Sequence, residues 1–327
     1  MQEVIVLVDT IDSIEYKEIG EIIHVYAHIS GLKAFFIPKK GYSKKYAVFA
    51  THFGSINTEF LEKGETETTI VPDGVAHFLE HKLFDQEQGN IMDEFSLLGS
   101  KPNAYTSFNQ TVYLFSCTDK FYESFDLLLN FVQAPYFVDE SIEREKLIIK
   151  QEINMYRDDS NWKSLFNFLK ALYKNNKVRN EILGTPESID KINKEILLKC
   201  YNNFYTLDNM VICVVGDLDK DEVFSRIDKN VKTSDTGRAQ EVKRIFPEEP
   251  DDINLPYFEE KMQISIPYFH MGYKDNFVKE NRIKDKTELL KREVSIKILL
   301  EMIFGRSSNL YKSLYEQGLI NNTFNFN

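Results

Sequence analysis

Cysteine is scarce: Cys117, Cys200 and Cys213 are the only three in 327 residues, and no two of them form a C-x-x-C pair. That spacing supports neither a thiolate zinc site nor a disulfide framework, and reads as three structural thiols suited to a reducing compartment. With 14 glycines and 9 prolines the chain is neither collagen-like nor built mainly of linker. Basic residues are outnumbered, 40 against 51 acidic, and a net charge of −11 has the wrong sign for a nucleic-acid partner. No uncharged apolar run reaches the roughly eighteen residues that a membrane-spanning helix needs. Met1–Tyr16 lacks the basic start, apolar stretch and small-residue cleavage site of an export signal. The expectation is a cytoplasmic protein with no membrane and no nucleic-acid partner.

What is present is material for a large core. The hydrophobic fraction is 43% with 25 Phe and 17 Tyr, and the charged fraction of 28% is ordinary for a globular chain. The length predicts two domains or two similar halves. The first fifty residues read as short strands, and Lys44–Phe53 is rich in β-branched and aromatic residues. Gly74–Phe84 places Val75, Leu79 and Leu83 at helical spacing, and Asn103–Cys117 returns to an extended pattern. Lys120–Gln133 carries an apolar stripe of Phe121, Phe125, Leu128, Leu129 and Val132. Asp139–Tyr156 opens with acidic residues suited to a helix N-terminus, and Ser188–Tyr201 is a further amphipathic helix. Met210–Val215 is wholly apolar and reads as a buried strand running into a turn at Gly216–Asp217.

Residues 233–256 have linker composition, with Ser234, Gly237, Pro247, Pro250, Asp251 and Asp252 and few apolar side chains. They divide a first unit, 1–232, from a second, 257–327, in which Met262–Tyr273 reads as a strand and Glu288–Phe304 as a helix. The second unit is much shorter than the first and is expected to be incomplete in this chain.

The chemistry is concentrated in His77-Phe78-Leu79-Glu80-His81. Positions i and i+4 of a helix share a face, so both imidazoles can reach one metal ion. Glu80, one residue before His81, can reach a metal-bound water without being a ligand. This is H-x-x-E-H, the reverse of H-E-x-x-H. Chance supplies roughly 0.01 such motifs in a chain of this length and histidine content, so coincidence is set aside. A zinc site with three protein ligands needs one more side chain. Glu145 and Glu152 are two helical turns apart on Asp139–Tyr156, and both are candidates. His24, His28, His52 and His270 lack a spacing that connects them to the motif, and Trp162 reads as a packing anchor.

These residues resemble the pitrilysin/insulinase metallopeptidases, which include the mitochondrial processing peptidases. The anchors are HFLEH at 77–81, NAYTS at 103–107 and EKLIIKQEI at 145–153, with GTPESIDKI at 184–192 and YTLDNMVICVVGDLD at 205–219 beside them. The resemblance is nearest to the bacterial, cytoplasmic, two-halved members. It implies an α+β fold in which each half is an antiparallel sheet with helices on one face, the halves closing as a clamshell around a chamber. It implies a zinc endopeptidase for peptides or unfolded segments. His77, His81 and Glu152 would hold zinc, Glu80 would activate a zinc-bound water, and Glu145 would support a ligand from behind. Asn103 and Ala104 would lie on the edge strand that receives the substrate backbone. A homodimer, or a heterodimer with a related subunit, is implied as well. The alternative is a peptidase-like binding subunit without catalysis. One departure stands out: in the family pattern LRE-x-GL-x-Y, Tyr315 replaces the arginine and Asn321 the tyrosine.

Overall fold

The computed structural model describes residues 10–62, 64–232, 242–275 and 286–326. They fall into two compact units, Met1–Met271 and Gly272–Asn327. The class is α+β, as expected. In chain order the first unit contains β1 (Thr10–Tyr16), β2 (Glu21–Ala27), β3 (Lys33–Pro38), β4 (Lys45–Thr51), β5 (Glu59–Leu61), β6 (Thr69–Ile70) and α1 (Val75–Phe84). Next come β7 (Asp85–Gln86), β8 (Gly89–Asn90), α2 (Ile91–Leu97), β9 (Lys101–Thr106), β10 (Thr111–Cys117), α3 (Phe121–Val132), α4 (Asp139–Asp158) and α5 (Ser160–Leu172). The series closes with α6 (Pro186–Asp190), α7 (Lys194–Phe204), β11 (Met210–Gly216), α8 (Lys220–Asn230) and β12 (Lys243–Arg244).

The main sheet has seven strands in the order β1-β2-β3-β11-β4-β10-β9, so β9 is an edge strand. Every pair in it is antiparallel except β3 with β11, which corrects the expected all-antiparallel sheet. The cause is the late strand: β11 enters between β3 and β4 after the chain has passed through α1 to α7, and its direction matches β3. Along β11 the side chains alternate, Met210, Ile212 and Val214 buried and Val211, Cys213 and Val215 half-buried. The buried row joins α1, α3, α7 and α8 in one core. Phe204 of α7 stands at its centre, stacked on Phe53 at 4.3 Å and edge-on to Phe60 at 4.9 Å. Phe204→Ala should lower stability by about 3–5 kcal/mol, read as a fall in the urea midpoint at unchanged slope.

Several expected boundaries move for local reasons. Asn103–Cys117 is a hairpin of β9 and β10, with Thr106 opposite Thr111. Ser188–Tyr201 is two helices. Thr185 and Ser188 cap each other at the start of α6, and the Asn193 side chain accepts the Ile196 N–H to start α7 afresh. Asp159 ends α4 and caps α5, accepting from the Asn161 and Trp162 N–H groups, and Trp162 packs on Tyr156 at 4.6 Å and Phe166 at 4.7 Å.

The stretch read as a linker behaves differently where it is described. β12 pairs with β5, the Leu255 N–H donates to the Ala171 carbonyl at 2.8 Å, and Glu249 accepts from the Lys174, Asn175 and Asn176 N–H groups at 3.0, 2.6 and 2.6 Å. Few apolar residues are needed for this attachment, because backbone pairing and one buried carboxylate make it. Ser234 and Gly237 lie outside the described residues. Met262–Tyr273 is not a strand: it has no pairing partner among the described residues, and Ile264, Ile266 and Tyr268 are exposed. The second unit holds α9 (Lys286–Phe304) and α10 (Asn309–Glu316). Tyr311 and Tyr315 stack on one face of α10 with ring centroids 6.0 Å apart.

Candidate metal centre

The helix that carries the motif is fixed at its start by two glycines. Gly74 caps α1 with φ 89°, and a Cβ there would meet the Leu183 carbonyl oxygen at 2.4 Å. Gly184, with φ 76°, would meet the Asp73 carbonyl oxygen at 2.5 Å. The two segments therefore close on each other, and the Ser188 hydroxyl donates to that Asp73 oxygen at 2.8 Å. The GTPES stretch, far away in sequence, thus sets where α1 begins. Nearly every side chain of α1 is buried, from Val75 to Phe84. Lys82 is buried too, donating to Asp85 at 2.5 Å and to Ser141 at 2.7 Å, which ties α1 to the start of α4.

α4 packs beside α1 and brings its carboxylates to the histidines. Glu152 Oε2 lies 3.8 Å from His77 Nε2 and 3.5 Å from His81 Nε2, and the ligand atoms of these three residues all lie within 4.8 Å of one another. Both distances are too long for hydrogen bonds. They suit a shared ion, because ligands about 2.1 Å from a tetrahedral zinc are about 3.4 Å apart. The donor set, two imidazoles and a carboxylate, is one that zinc accepts. Glu145 takes the other side of His81: its Oε1 accepts from Nδ1 at 2.8 Å, leaving the lone pair on Nε2, toward Glu152. The buried His77 Nδ1 has no hydrogen-bond partner among the described residues.

The electrostatics separate the two imidazoles. Burial, and then the charge of His81, push the His77 imidazole down to about 3, so at neutral pH it is an unprotonated donor. Burial also opposes the charge on His81, but the Glu145 hydrogen bond and the carboxylates of Glu145, Glu80 and Glu152 outweigh it and raise this imidazole. Burial raises the carboxyls of Glu80 and Glu152. For Glu80 the opposing influences are a hydrogen bond that its Oε2 accepts from Thr106 at 2.6 Å and, after it, the charge of His81. Asn103 and Ala104 lie on β9, in the wall of a cleft of about 410 Å³ that also exposes Glu80, His81, Phe84 and Arg144. The structure therefore brings His77, Glu80, His81, Glu145, Glu152, Asn103 and Ala104 to one place. Sequence reasoning missed Thr106 and Lys82. The first lies inside the NAYTS stretch and the second directly follows His81, but only the fold shows what their polar atoms reach.

A profile described as insulinase (peptidase family M16) matches residues 64–186, and one described as the peptidase M16 inactive domain matches residues 191–327. The zinc protease YmfH of Bacillus subtilis, named as uncharacterized, is 42% identical over 316 residues, which are 97% of this chain and 73% of that protein. The chain belongs to the M16 peptidase family. Its cofactor is therefore zinc, and its role that of a peptidase. An M16-like peptidase of Alicyclobacillus acidocaldarius superposes with a TM-score of 0.80 at 30% identity, over 98% of this chain and 71% of that one. The mitochondrial-processing peptidase subunit beta of Caenorhabditis elegans is 29% identical over 52% of this M16 chain and 38% of that protein. No helix among the described residues is long and apolar enough to cross a membrane.

Proposed function

We propose that the chain is a zinc-dependent endopeptidase for peptides or unfolded protein segments, with His77, His81 and Glu152 as the metal ligands and Glu80 as general base. The observation that carries this reading is the convergence of His77 Nε2, His81 Nε2 and Glu152 Oε2, with the carboxylate of Glu80 on the same helix beside them. Zinc, when bound, polarises the scissile carbonyl and lowers the pKa of a water toward about 7. Glu80 takes the proton from the attacking water and delivers it to the leaving amine. Its burial and its raised carboxyl suit a group that must both accept and return a proton. Glu145 holds His81 in the required tautomer.

The substrate backbone lies along β9, an edge strand among the described residues, at Asn103 and Ala104, where main-chain pairing gives affinity with little demand on sequence. In this reading residues 1–232 form the catalytic half and 257–327 belong to a non-catalytic half. Where Tyr315 and Asn321 replace the expected arginine and tyrosine, a partner chain, in a homodimer or a heterodimer with a related subunit, or residues past Asn327 would supply the missing part of the substrate clamp. The test is the zinc content of the purified chain beside His81→Ala. About one zinc per chain, absent from the variant, followed by cleavage of a quenched peptide, is the expected result. No zinc in either protein after metal has been supplied would leave a non-catalytic binding subunit.

A further inference from the structure

Glu80 is 8% exposed, and its carboxylate has one hydrogen bond among the described residues, accepted from Thr106 Oγ1 at 2.6 Å. That length belongs to a charge-assisted O–H···O⁻ bond. The proton assignment follows from the neighbours. Thr111, opposite Thr106 in the hairpin, donates its hydroxyl proton to the Phe53 carbonyl at 2.8 Å. Its oxygen stands 3.4 Å from Thr106 Oγ1, so it competes weakly for the Thr106 proton. The Thr106 proton therefore goes to Glu80 Oε2.

Resting on the reading of Glu80 as general base, we propose that Thr106 is its positioning residue. Its hydroxyl holds Oε2, so that Oε1 is left to meet the attacking water. Two features support more than a packing role. Thr106 is the last residue of β9, the edge strand proposed to receive the substrate, two positions from Ala104 on the same face of the strand. One rigid element thus sets both the scissile carbonyl and the carboxylate that acts beside it. A buried carboxylate held by one donor also loses its main orientation when that donor goes, because solvent has little access to replace it.

The experiment compares Thr106→Val and Thr106→Ser with the wild type in the full chain. Valine keeps the shape and the strand preference of threonine and deletes only the donor. In Thr106→Val, kcat should fall about ten- to a hundredfold, the scale of a misplaced catalytic group, with KM and zinc content unchanged. Thr106→Ser, which keeps the hydroxyl, should recover at least about a third of the wild-type kcat, since a donated bond and not the methyl is what the base uses. Wild-type kcat in Thr106→Val would overturn the proposal, and so would an equal loss in both variants. If Thr106→Val does not fold, Thr106→Ala serves as the donor-free chain under the same criteria. Failure of the underlying reading is separate: it would appear as undiminished hydrolysis in Glu80→Gln, whatever Thr106 does.

Discussion

Glu80→Gln should retain its zinc and lose turnover, with kcat lower by about a hundred- to ten-thousandfold and KM little changed. Glutamine matches glutamate in volume, and its amide oxygen can still accept from the Thr106 hydroxyl, so the side chain stays where it is. What disappears is the ability to accept a proton. The metal should remain, because the converging ligand atoms belong to His77, His81 and Glu152. Folding should be unharmed, since the substitution removes a buried charge that desolvation already disfavours. Zinc analysis, a thermal melt and quenched-peptide kinetics on one preparation check all three. Hydrolysis above about a tenth of wild type would assign the proton transfer to another group, general base catalysis being worth more than that factor.

Much of this arrangement was legible in the sequence, and the limits of legibility have physical causes. The spacing of His77 and His81 needs only the 3.6-residue period of α1 to place both rings on one side, and the structure sets their centroids 4.6 Å apart. The apolar run in β11 was readable as a buried strand, but its insertion between β3 and β4, parallel to one and antiparallel to the other, is a tertiary choice. The break between α6 and α7 hid behind a continuous amphipathic pattern, since a single Asn193 side chain is enough to restart a helix. Residues 242–256 resembled a linker because composition registers apolar burial, whereas Glu249 attaches them by accepting three backbone N–H groups. Thr106 escaped notice for a similar reason. A hydroxyl in a strand has no periodic signature, and its meaning lies in a carboxylate 26 positions away.

Glu152→Gln should abolish zinc binding at ordinary concentrations, and with it the stabilisation that zinc gives the fold. Sequence spacing left Glu145 and Glu152 as equals on one face of α4, and the structure separates them by the imidazole nitrogen each approaches. Glu145 accepts from His81 Nδ1 at 2.8 Å, and Glu152 lies 3.5 Å from Nε2 of the same ring. A histidine ligand that donates one ring proton to a carboxylate presents its other nitrogen to the metal, so of the two carboxylates Glu152 is the one proposed as the third ligand. Its proposed partners His77 and His81 are on α1, and an ion held by all three would bridge α1 and α4. Such an ion binds the folded chain and not the unfolded one, and at about a thousandfold over its Kd it adds about 4 kcal/mol. For a unit of this size that corresponds to a melting temperature about 8–16 °C higher than in the presence of a chelator. Glu152→Gln should melt at the same temperature with zinc and with chelator. A zinc-dependent shift of wild-type size in that variant would place the third ligand elsewhere, while the same substitution at Glu145 should leave a reduced but measurable shift.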